Sequence, residues 1–233
     1  MKTDSELHNK LKPPLSSIKS GCFVCICGSA GSGKSSILIN LFKKLRCEQT
    51  GLKMGLNKCF DHIFIVSPSM NSFNKNIFEN IGDEYKFDNL LEFLDNYREV
   101  MQGDDNETCI IFDDIGSQIR TKECLNKFNK LIHNRRHQHL TIFMLVQNLS
   151  MVVPAIRDSI NILISFKPKS IEEKELIFSL SGLPKKDMNE FYKFFFKEKH
   201  DSLLIDMTLI TSDDYVFYRN IFNEVKIATG PQG

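Results

Sequence analysis

Residues 22–35 read Cys-Phe-Val-Cys-Ile-Cys-Gly-Ser-Ala-Gly-Ser-Gly-Lys-Ser, an apolar run followed directly by the pattern G-x-x-x-x-G-K-[ST]. The apolar run predicts a buried strand, and the spacing of apolar residues from Ile37 to Leu45 predicts one face of a helix. A strand, a glycine-rich turn and a helix are the setting in which this pattern binds polyphosphate. The segment therefore predicts an α/β fold with a nucleoside triphosphate site.

The residue types in this loop suit contact with phosphate. Gly28, Gly31 and Gly33 allow backbone conformations that are closed to other residues, so main-chain N–H groups can approach the phosphates. Lys34 adds a positive charge, and the Ser35 hydroxyl is placed to ligate Mg²⁺. The predicted nucleotide-binding residues are Gly28, Ser29, Ala30, Gly31, Ser32, Gly33, Lys34, Ser35 and Ser36.

The composition narrows the class of protein. The chain has 233 residues, 42% of them hydrophobic, and a net charge of +1, which suits one α/β domain with a packed core. Its seven cysteines follow no regular framework, so they predict buried thiols in a reducing compartment. The polar N-terminus and the lack of an apolar run near about 18 residues predict a soluble intracellular protein with no membrane partner.

Two pairs of potential metal ligands do not favour a metal site. Cys22 and Cys25 would face opposite sides of a strand, and no second cysteine pair has a matching spacing. His133 and His137 would share one face of a predicted helix, but the two arginines between them would repel a cation. The cationic stretch around them favours a phosphate-contacting or subunit-contacting role instead.

Strand and helix patterns alternate along the rest of the chain. The predicted strands are near 22–27, 61–66, 108–113, 140–146 and 160–166, and the predicted helices near 34–46, 87–100, 121–135, 171–181 and 185–198. Short apolar patterns at 203–207 and 215–218 predict a terminal hairpin. Together they predict a central, mostly parallel sheet flanked by helices, with a small C-terminal helix and hairpin elaboration.

The remaining segments predict the domain organisation. Residues 1–20 are predicted to be an N-terminal arm, 21–225 a single domain and 226–233 a flexible tail. Residues 73–83 and 103–106 are predicted surface loops. Ser170 and Glu173 have the spacing of a capping box at the start of the helix near 171–181.

Polar residues follow two of the predicted strands. Asp113 ends an apolar strand, which fits the role of holding Mg²⁺, and Asp114 is then placed to orient the attacking water. Gln147 follows the strand at 140–146, where a polar side chain beside the phosphate loop can sense the γ-phosphate. The spacing alone fits an ordinary exposed amide equally well, so it leaves the role of Gln147 open.

Two arginines are candidates for an arginine finger, the residue that stabilises charge on the transferring phosphoryl group. Arg136 lies in the cationic stretch, and Arg157 lies beyond the strand that ends before Gln147. In ring motors the neighbouring subunit supplies this residue. The sequence does not choose between the two.

Four segments taken in order carry a family resemblance: GSAGSGKS, CIIFDDIG, NRRHQHLTIFMLVQN and VVPAIRDSINILISF. They resemble the genome-packaging ATPases of large DNA viruses, the poxvirus-type branch of the FtsK–HerA superfamily. The resemblance extends over residues 20–220, which is nearly the whole chain. It implies a P-loop NTPase with a RecA-like core of the ASCE class, in which the strand at 140–146 lies between the phosphate-loop strand and the strand ending at Asp113.

The resemblance also implies roles for individual residues. It implies that Lys34 and Ser35 bind phosphate and Mg²⁺, that Asp113 holds Mg²⁺ (the Walker B role), and that Asp114 is the catalytic carboxylate. Gln147 is implied as the sensor, and Arg136 and Arg157 as the arginines of the family pattern. Arg135 departs from the pattern, which has glycine before the Arg-His pair, and adds a positive charge without an assigned role.

The implied activity is ATP hydrolysis with Mg²⁺, coupled to translocation of double-stranded DNA into a capsid. The implied partners are DNA bound without sequence specificity, further copies of the chain in a hexameric or pentameric ring, and a capsid or portal component. The implied location is the host cytoplasm, a viral factory or the virion.

Two other functions are kept as alternatives to DNA translocation. A P-loop kinase or phosphotransferase is disfavoured by the aspartate pair after an apolar strand and by the lack of an obvious arginine-rich lid. A slowly hydrolysing, nucleotide-gated assembly protein is compatible with Asp114, since a glutamate more often holds that position and an aspartate there fits slow turnover.

Overall fold

The computed structural model describes residues 18, 20–42, 45–46, 53–54, 56, 59–68, 83–100, 106–211, 214–220 and 223–225. The predicted tail at 226–233 and most of the predicted arm at 1–20 lie outside these residues. So do residues 73–82 and 103–105 of the two predicted loops. The predicted domain boundaries therefore stay a prediction.

One large sheet runs through the described part of the chain. The strands are β1 (Phe23–Cys27), β2 (Leu45–Arg46), β3 (Lys53–Met54), β4 (His62–Val66), β5 (Asp83–Phe87), β6 (Thr108–Asp113), β7 (Leu140–Val146), β8 (Ile162–Phe166), β9 (Ser202–Thr211), β10 (Asp214–Arg219) and β11 (Asn223–Val225). Nine of the described strands form one sheet in the order β11-β10-β9-β8-β1-β7-β6-β4-β5, and β2 pairs with β3 separately. Six neighbouring strands are parallel, namely β8, β1, β7, β6, β4 and β5. Beyond β8, the strands β9, β10 and β11 extend the sheet in antiparallel fashion.

This topology confirms the predicted fold class, a mostly parallel sheet with an added terminal hairpin. It also confirms the predicted strand order, since β7 lies between β1 and β6. Cys27 is opposite Val146, and Asp113 is opposite Leu145. The carboxyl ends of these three strands therefore lie together at one edge of the sheet.

The helices cover both faces of this sheet. They are α1 (Lys34–Phe42), α2 (Leu90–Val100), α3 (Lys122–Asn134), α4 (Pro154–Arg157), α5 (Ile171–Ser179) and α6 (Met188–Phe195). Short 3₁₀ turns occupy Ile115–Arg120, Leu149–Met151 and Lys185–Asp187. None of the helices in the described ranges is long and apolar enough to cross a membrane.

The core consists of two hydrophobic clusters, one on each face of the sheet, and β1 contributes side chains to both. Phe23, Cys25 and Cys27 belong to one hydrophobic cluster, and Val24 and Ile26 belong to the other. Alternate side chains of a strand point to opposite faces, so a continuous apolar run is the pattern of a strand covered on both sides. All six cysteines in the described residues are buried.

Three sequence-based expectations about helices are wrong in detail. The helix predicted at 34–46 is described only to Phe42, and Leu45 belongs to β2. The helix predicted from residue 87 begins at Leu90, because Phe87 still pairs in β5 and the Asn89 side chain caps the helix.

The third concerns the histidine pair. Helix α3 ends at Asn134, so His137 lies in the following turn and does not share a helical face with His133. On α6, Phe191 and Phe195 are buried, whereas Phe194 is 45% exposed.

Candidate functional site: phosphate loop and strand ends

The phosphate loop joins β1 to α1 at the carboxyl edge of the parallel strands. Gly31 and Gly33 have φ angles of +73° and +113°, which disfavour side chains. A Cβ atom at Gly28 would lie 2.8 Å from Cβ of Phe166 and 2.7 Å from Oγ of Ser32. Glycine is therefore required at Gly28 by packing and at the other two positions by backbone conformation.

Lys34 lies across this loop. Its ammonium donates hydrogen bonds to the carbonyl oxygens of Gly28 at 2.6 Å and Ser29 at 3.2 Å. Burial lowers the pKa of Lys34, and the nearby charges of Asp113 and Asp114 raise it in part. The side chain is thus already placed between the loop and the two carboxylates, where a γ-phosphate bound by this loop would need a cation.

Asp113 is the last residue of β6 and is held on one side by Ser67. The Ser67 hydroxyl donates to Oδ2 of Asp113 at 3.4 Å. Burial and the charge of Asp114 raise the pKa of Asp113, while Lys34 and the Ser67 hydroxyl lower it. The carboxylate is therefore in an environment that favours an additional positive charge beside it.

Asp114 turns the chain sharply after β6. It has φ 53° and ψ 36°, a left-handed conformation that aspartate adopts more readily than most residues. Its side chain accepts a hydrogen bond from Nε2 of Gln147 at 3.1 Å. The structure therefore brings the predicted catalytic carboxylate and the predicted sensor amide into contact.

The end of β7 is fixed by both motifs. The Leu145 carbonyl accepts from the backbone N–H of Asp114, and the Val146 carbonyl accepts from that of Gly28, each at 3.1 Å. Gln147 follows these two residues directly. The phosphate loop and the acidic pair are thereby tied to the strand that carries the sensor.

The donor set fits a Mg²⁺ ion bound together with a nucleotide. Asp113 offers carboxylate oxygens and Ser35 an exposed hydroxyl, and Mg²⁺ in such sites takes one or two protein oxygens with phosphate and water. The described residues contain no group of three or more His, Cys, Asp or Glu side chains that could hold a metal ion by themselves. The phosphate oxygens would therefore complete the coordination of the metal.

Two cavities flank the phosphate loop. One, of about 520 Å³, is lined by residues of the loop and α1, including Ile37 and Asn40, and by Phe166 and His200. Nδ1 of His200 donates to the Ser32 carbonyl at 3.0 Å. The other cavity, of about 570 Å³, has a basic rim of Lys167, Lys169, Lys174 and Lys199. Both volumes fall in the range of small-molecule sites.

The candidate arginines lie away from this centre within the chain. A Cβ atom at Gly21, just before β1, would lie 2.9 Å from Cα of Arg136. The five residues of β1 separate this end of the strand from the phosphate loop by about 13 Å. Arg157 lies on α4, shortly before Asn161, whose N–H bonds the carbonyl of Phe23. In the described part of the chain, both arginines therefore lie toward the amino ends of the strands, at the edge opposite Lys34.

Arg135 has a structural position that the sequence did not indicate. It is 6% exposed and donates to the carbonyls of Ile132 at 2.7 Å and Ser159 at 3.1 Å, and to Oδ1 of Asn161 at 3.1 Å. Asn161 Oδ1 also accepts from the N–H of Phe23. Arg135 therefore joins the end of α3 to the starts of β1 and β8.

Sequence reasoning missed Ser67 and His200. Ser67 follows β4 directly, so the rule that located Asp113 and Gln147 at strand ends applies to it too. His200 precedes β9 and reaches the loop only because β9 continues the sheet beside β8. No local pattern marks it.

A comparison with models of known protein families identifies the family of this chain. The family model described as "Poxvirus A32 protein" matches residues 16–221. The chain belongs to the poxvirus A32 protein family. The predicted resemblance to a poxvirus-type family is thus confirmed. No curated protein sequence matches this A32-family chain.

Solved structures show the same fold. The DNA-packaging ATPase B204 of Sulfolobus Turreted Icosahedral Virus superposes with a TM-score of 0.60 at 13% identity, covering 90% of this A32-family chain and 100% of B204. B204 of Sulfolobus turreted icosahedral virus 2 in complex with ATP-gammaS gives a TM-score of 0.56 at 14% identity, over 90% and 99% of the two chains. The pCW3 conjugation coupling protein TcpA gives 0.54 at 14% identity, over 90% and 61%. At these identities the likeness shows a shared P-loop NTPase fold.

Proposed function

We propose that this chain hydrolyses Mg-ATP and couples hydrolysis to the movement of double-stranded DNA into a viral capsid. The observation that carries the proposal is the meeting of Lys34, Asp113, Asp114 and Gln147 at the ends of β1, β6 and β7. Membership of the poxvirus A32 family, matched over residues 16–221, supports the packaging role.

Each side chain has a task in this proposal. Lys34 and the backbone N–H groups of the loop bind the phosphates, and Asp113 with Ser35 holds the metal. Mg²⁺ held there would supply positive charge that neutralises the phosphate oxygens. Asp114 orients and polarises the attacking water, and the contact of Gln147 with Asp114 links that carboxylate to β7.

We further propose that the site is completed by a neighbouring copy of the chain in a hexameric or pentameric ring. Arg136 and Arg157 lie toward the amino ends of the strands, away from the phosphate loop of their own chain. This position suits an arginine finger that acts on the next subunit, which in related mechanisms contributes about 10³–10⁵ in rate. A capsid or portal component would anchor the ring.

The test is steady-state ATP hydrolysis with and without long double-stranded DNA at low salt, because sequence-independent DNA contacts are electrostatic. We expect Mg²⁺-dependent hydrolysis that DNA stimulates. We expect no turnover by Lys34→Ala, whereas Lys130→Ala, a change of an exposed lysine on α3, should match the wild type.

Other outcomes would identify the alternative functions. Unchanged hydrolysis in Lys34→Ala would refute the site. Transfer of phosphate to a small acceptor without a DNA effect would indicate a kinase or phosphotransferase. Single-turnover hydrolysis that is no faster in the wild type than in Asp114→Asn would indicate a nucleotide-gated assembly protein.

A further inference from the structure

Glu173 is a buried carboxylate behind the end of β7. It lies in the first turn of α5 and is 5% exposed. The sequence predicted a capping box with Ser170, and half of it is present, since the Ser170 hydroxyl accepts from the N–H of Glu173 at 3.1 Å. The two carboxylate oxygens of Glu173, however, bind a different part of the chain.

These oxygens hold the turn that follows the predicted sensor. Oε1 accepts from the backbone N–H of Leu149, and Oε2 accepts from that of Ser150 at 3.2 Å. Both N–H groups belong to the first turn of a 3₁₀ helix, where they have no partner within the helix. Hydrogen bonds from N–H groups to a carboxylate are among the stronger ones in proteins, especially where water is excluded.

Gln147 and Asn148 therefore lie between two fixed points. On one side, the carbonyls of Leu145 and Val146 are bonded to the acidic strand end and the phosphate loop. On the other side, Glu173 holds Leu149 and Ser150. Only two residues connect these anchors, so the position of the Gln147 amide beside Asp114 depends on both.

We propose that Glu173 is a positioning residue for Gln147, which sets the sensor amide against Asp114 by fixing the backbone of the following turn. The inference rests on the proposed function in one respect, the role of Gln147 in hydrolysis. Glu173 itself contacts neither the phosphate loop nor the acidic pair through a hydrogen bond in the described residues, so it acts through the backbone.

The first test is amide hydrogen exchange, which requires no activity. Glu173→Gln replaces one acceptor oxygen with an NH₂ group, so at least one of the two N–H groups loses its acceptor. We expect the amide that loses its acceptor, that of Leu149 or that of Ser150, to exchange about tenfold faster, with those of β7 unchanged. Glu172→Gln, at the exposed neighbouring position, is the control and should leave all of them unchanged.

The second test is a double-mutant cycle with Gln147→Ala, read as kcat and KM. We expect Glu173→Gln to lower kcat about tenfold when Gln147 is present, with KM nearly constant, and to have little further effect in the Gln147→Ala background. An equal loss in both backgrounds would show a merely structural role and overturn the proposal. Unchanged exchange at Leu149 and Ser150 would overturn it as well.

The two tests separate this inference from the proposed function. A wild type that does not hydrolyse ATP refutes the proposed function, while exchange still decides whether Glu173 holds the turn. If Glu173→Gln does not fold, Glu173→Asp replaces it. Aspartate keeps both acceptors but is one methylene shorter, and the same faster exchange and the same coupling to Gln147 are expected.

Discussion

The replacement of Arg135 by methionine tests whether a buried cation stabilises the fold rather than contacting phosphate. The change removes donors from three acceptors: the carbonyls of Ile132 and Ser159 and Oδ1 of Asn161. Each hydrogen bond from a charged donor contributes about 1.5–3 kcal/mol. Burial lowers the pKa of Arg135, so the variant also recovers part of the cost of desolvating the guanidinium.

The balance predicts that Arg135→Met lowers the free energy of unfolding by about 3 kcal/mol. Urea unfolding followed by far-ultraviolet circular dichroism measures it, because the chain contains no tryptophan for fluorescence. The matched control is Arg136→Met, at the exposed next position, which should change stability by less than about 0.5 kcal/mol.

A loss below about 1 kcal/mol for Arg135→Met, with the wild-type m value, would refute this reasoning. It would mean that the three acceptors find other partners, and that the network around Asn161 is not needed to hold β1 and β8 together.

Three further predictions concern the nucleotide site. His200→Ala should weaken ATP-analogue binding by calorimetry while leaving the unfolding transition in place, because His200 lines the cavity and bonds Ser32; equal affinity would place the nucleotide elsewhere. The raised pKa of Asp113 means that protons compete with Mg²⁺ at a higher pH than for an ordinary aspartate, so the acid limb of kcat/KM should move to lower pH as Mg²⁺ increases. An acid limb that does not move with the Mg²⁺ concentration would be due to titration of another group. Mixing Arg157→Ala with Asp114→Asn subunits should restore some hydrolysis if Arg157 acts in trans, and no recovery in confirmed mixed rings would count against Arg157 as the arginine finger.

The parallel core of the sheet was predictable because its strands are buried on both faces. β1, β6, β7 and β8 appear as nearly continuous apolar runs, and each was predicted within two residues of its observed bounds. The family resemblance implied that β7 lies between β1 and β6, and the carboxyl ends of parallel strands share one edge, so the loop, the acidic pair and Gln147 lie together there. Their roles stay a prediction, but their proximity is present in the structure.

Elements that depend on distant contacts were not predictable. β5 reads Asp-Glu-Tyr-Lys-Phe, with little apolar signal, and forms because it pairs with β4 at the edge of the sheet. The start of α2 is fixed by Gln118, whose Oε1 accepts from the N–H of Leu90 at 2.6 Å. Arg135 and Glu173 are charged residues whose burial depends on partners about 24 residues away. No local pattern reports such partners.

The buried thiols of β1 offer a way to measure nucleotide binding through their rate of alkylation. Burial raises the pKa of Cys27 to about 12, so in the folded state this thiol is neither ionised nor accessible to an alkylating reagent. It can react only when the strand beneath the phosphate loop opens. A nucleotide that binds only the closed form must slow the reaction in proportion to its occupancy. Alkylation rates would thus report affinity in variants that no longer turn over.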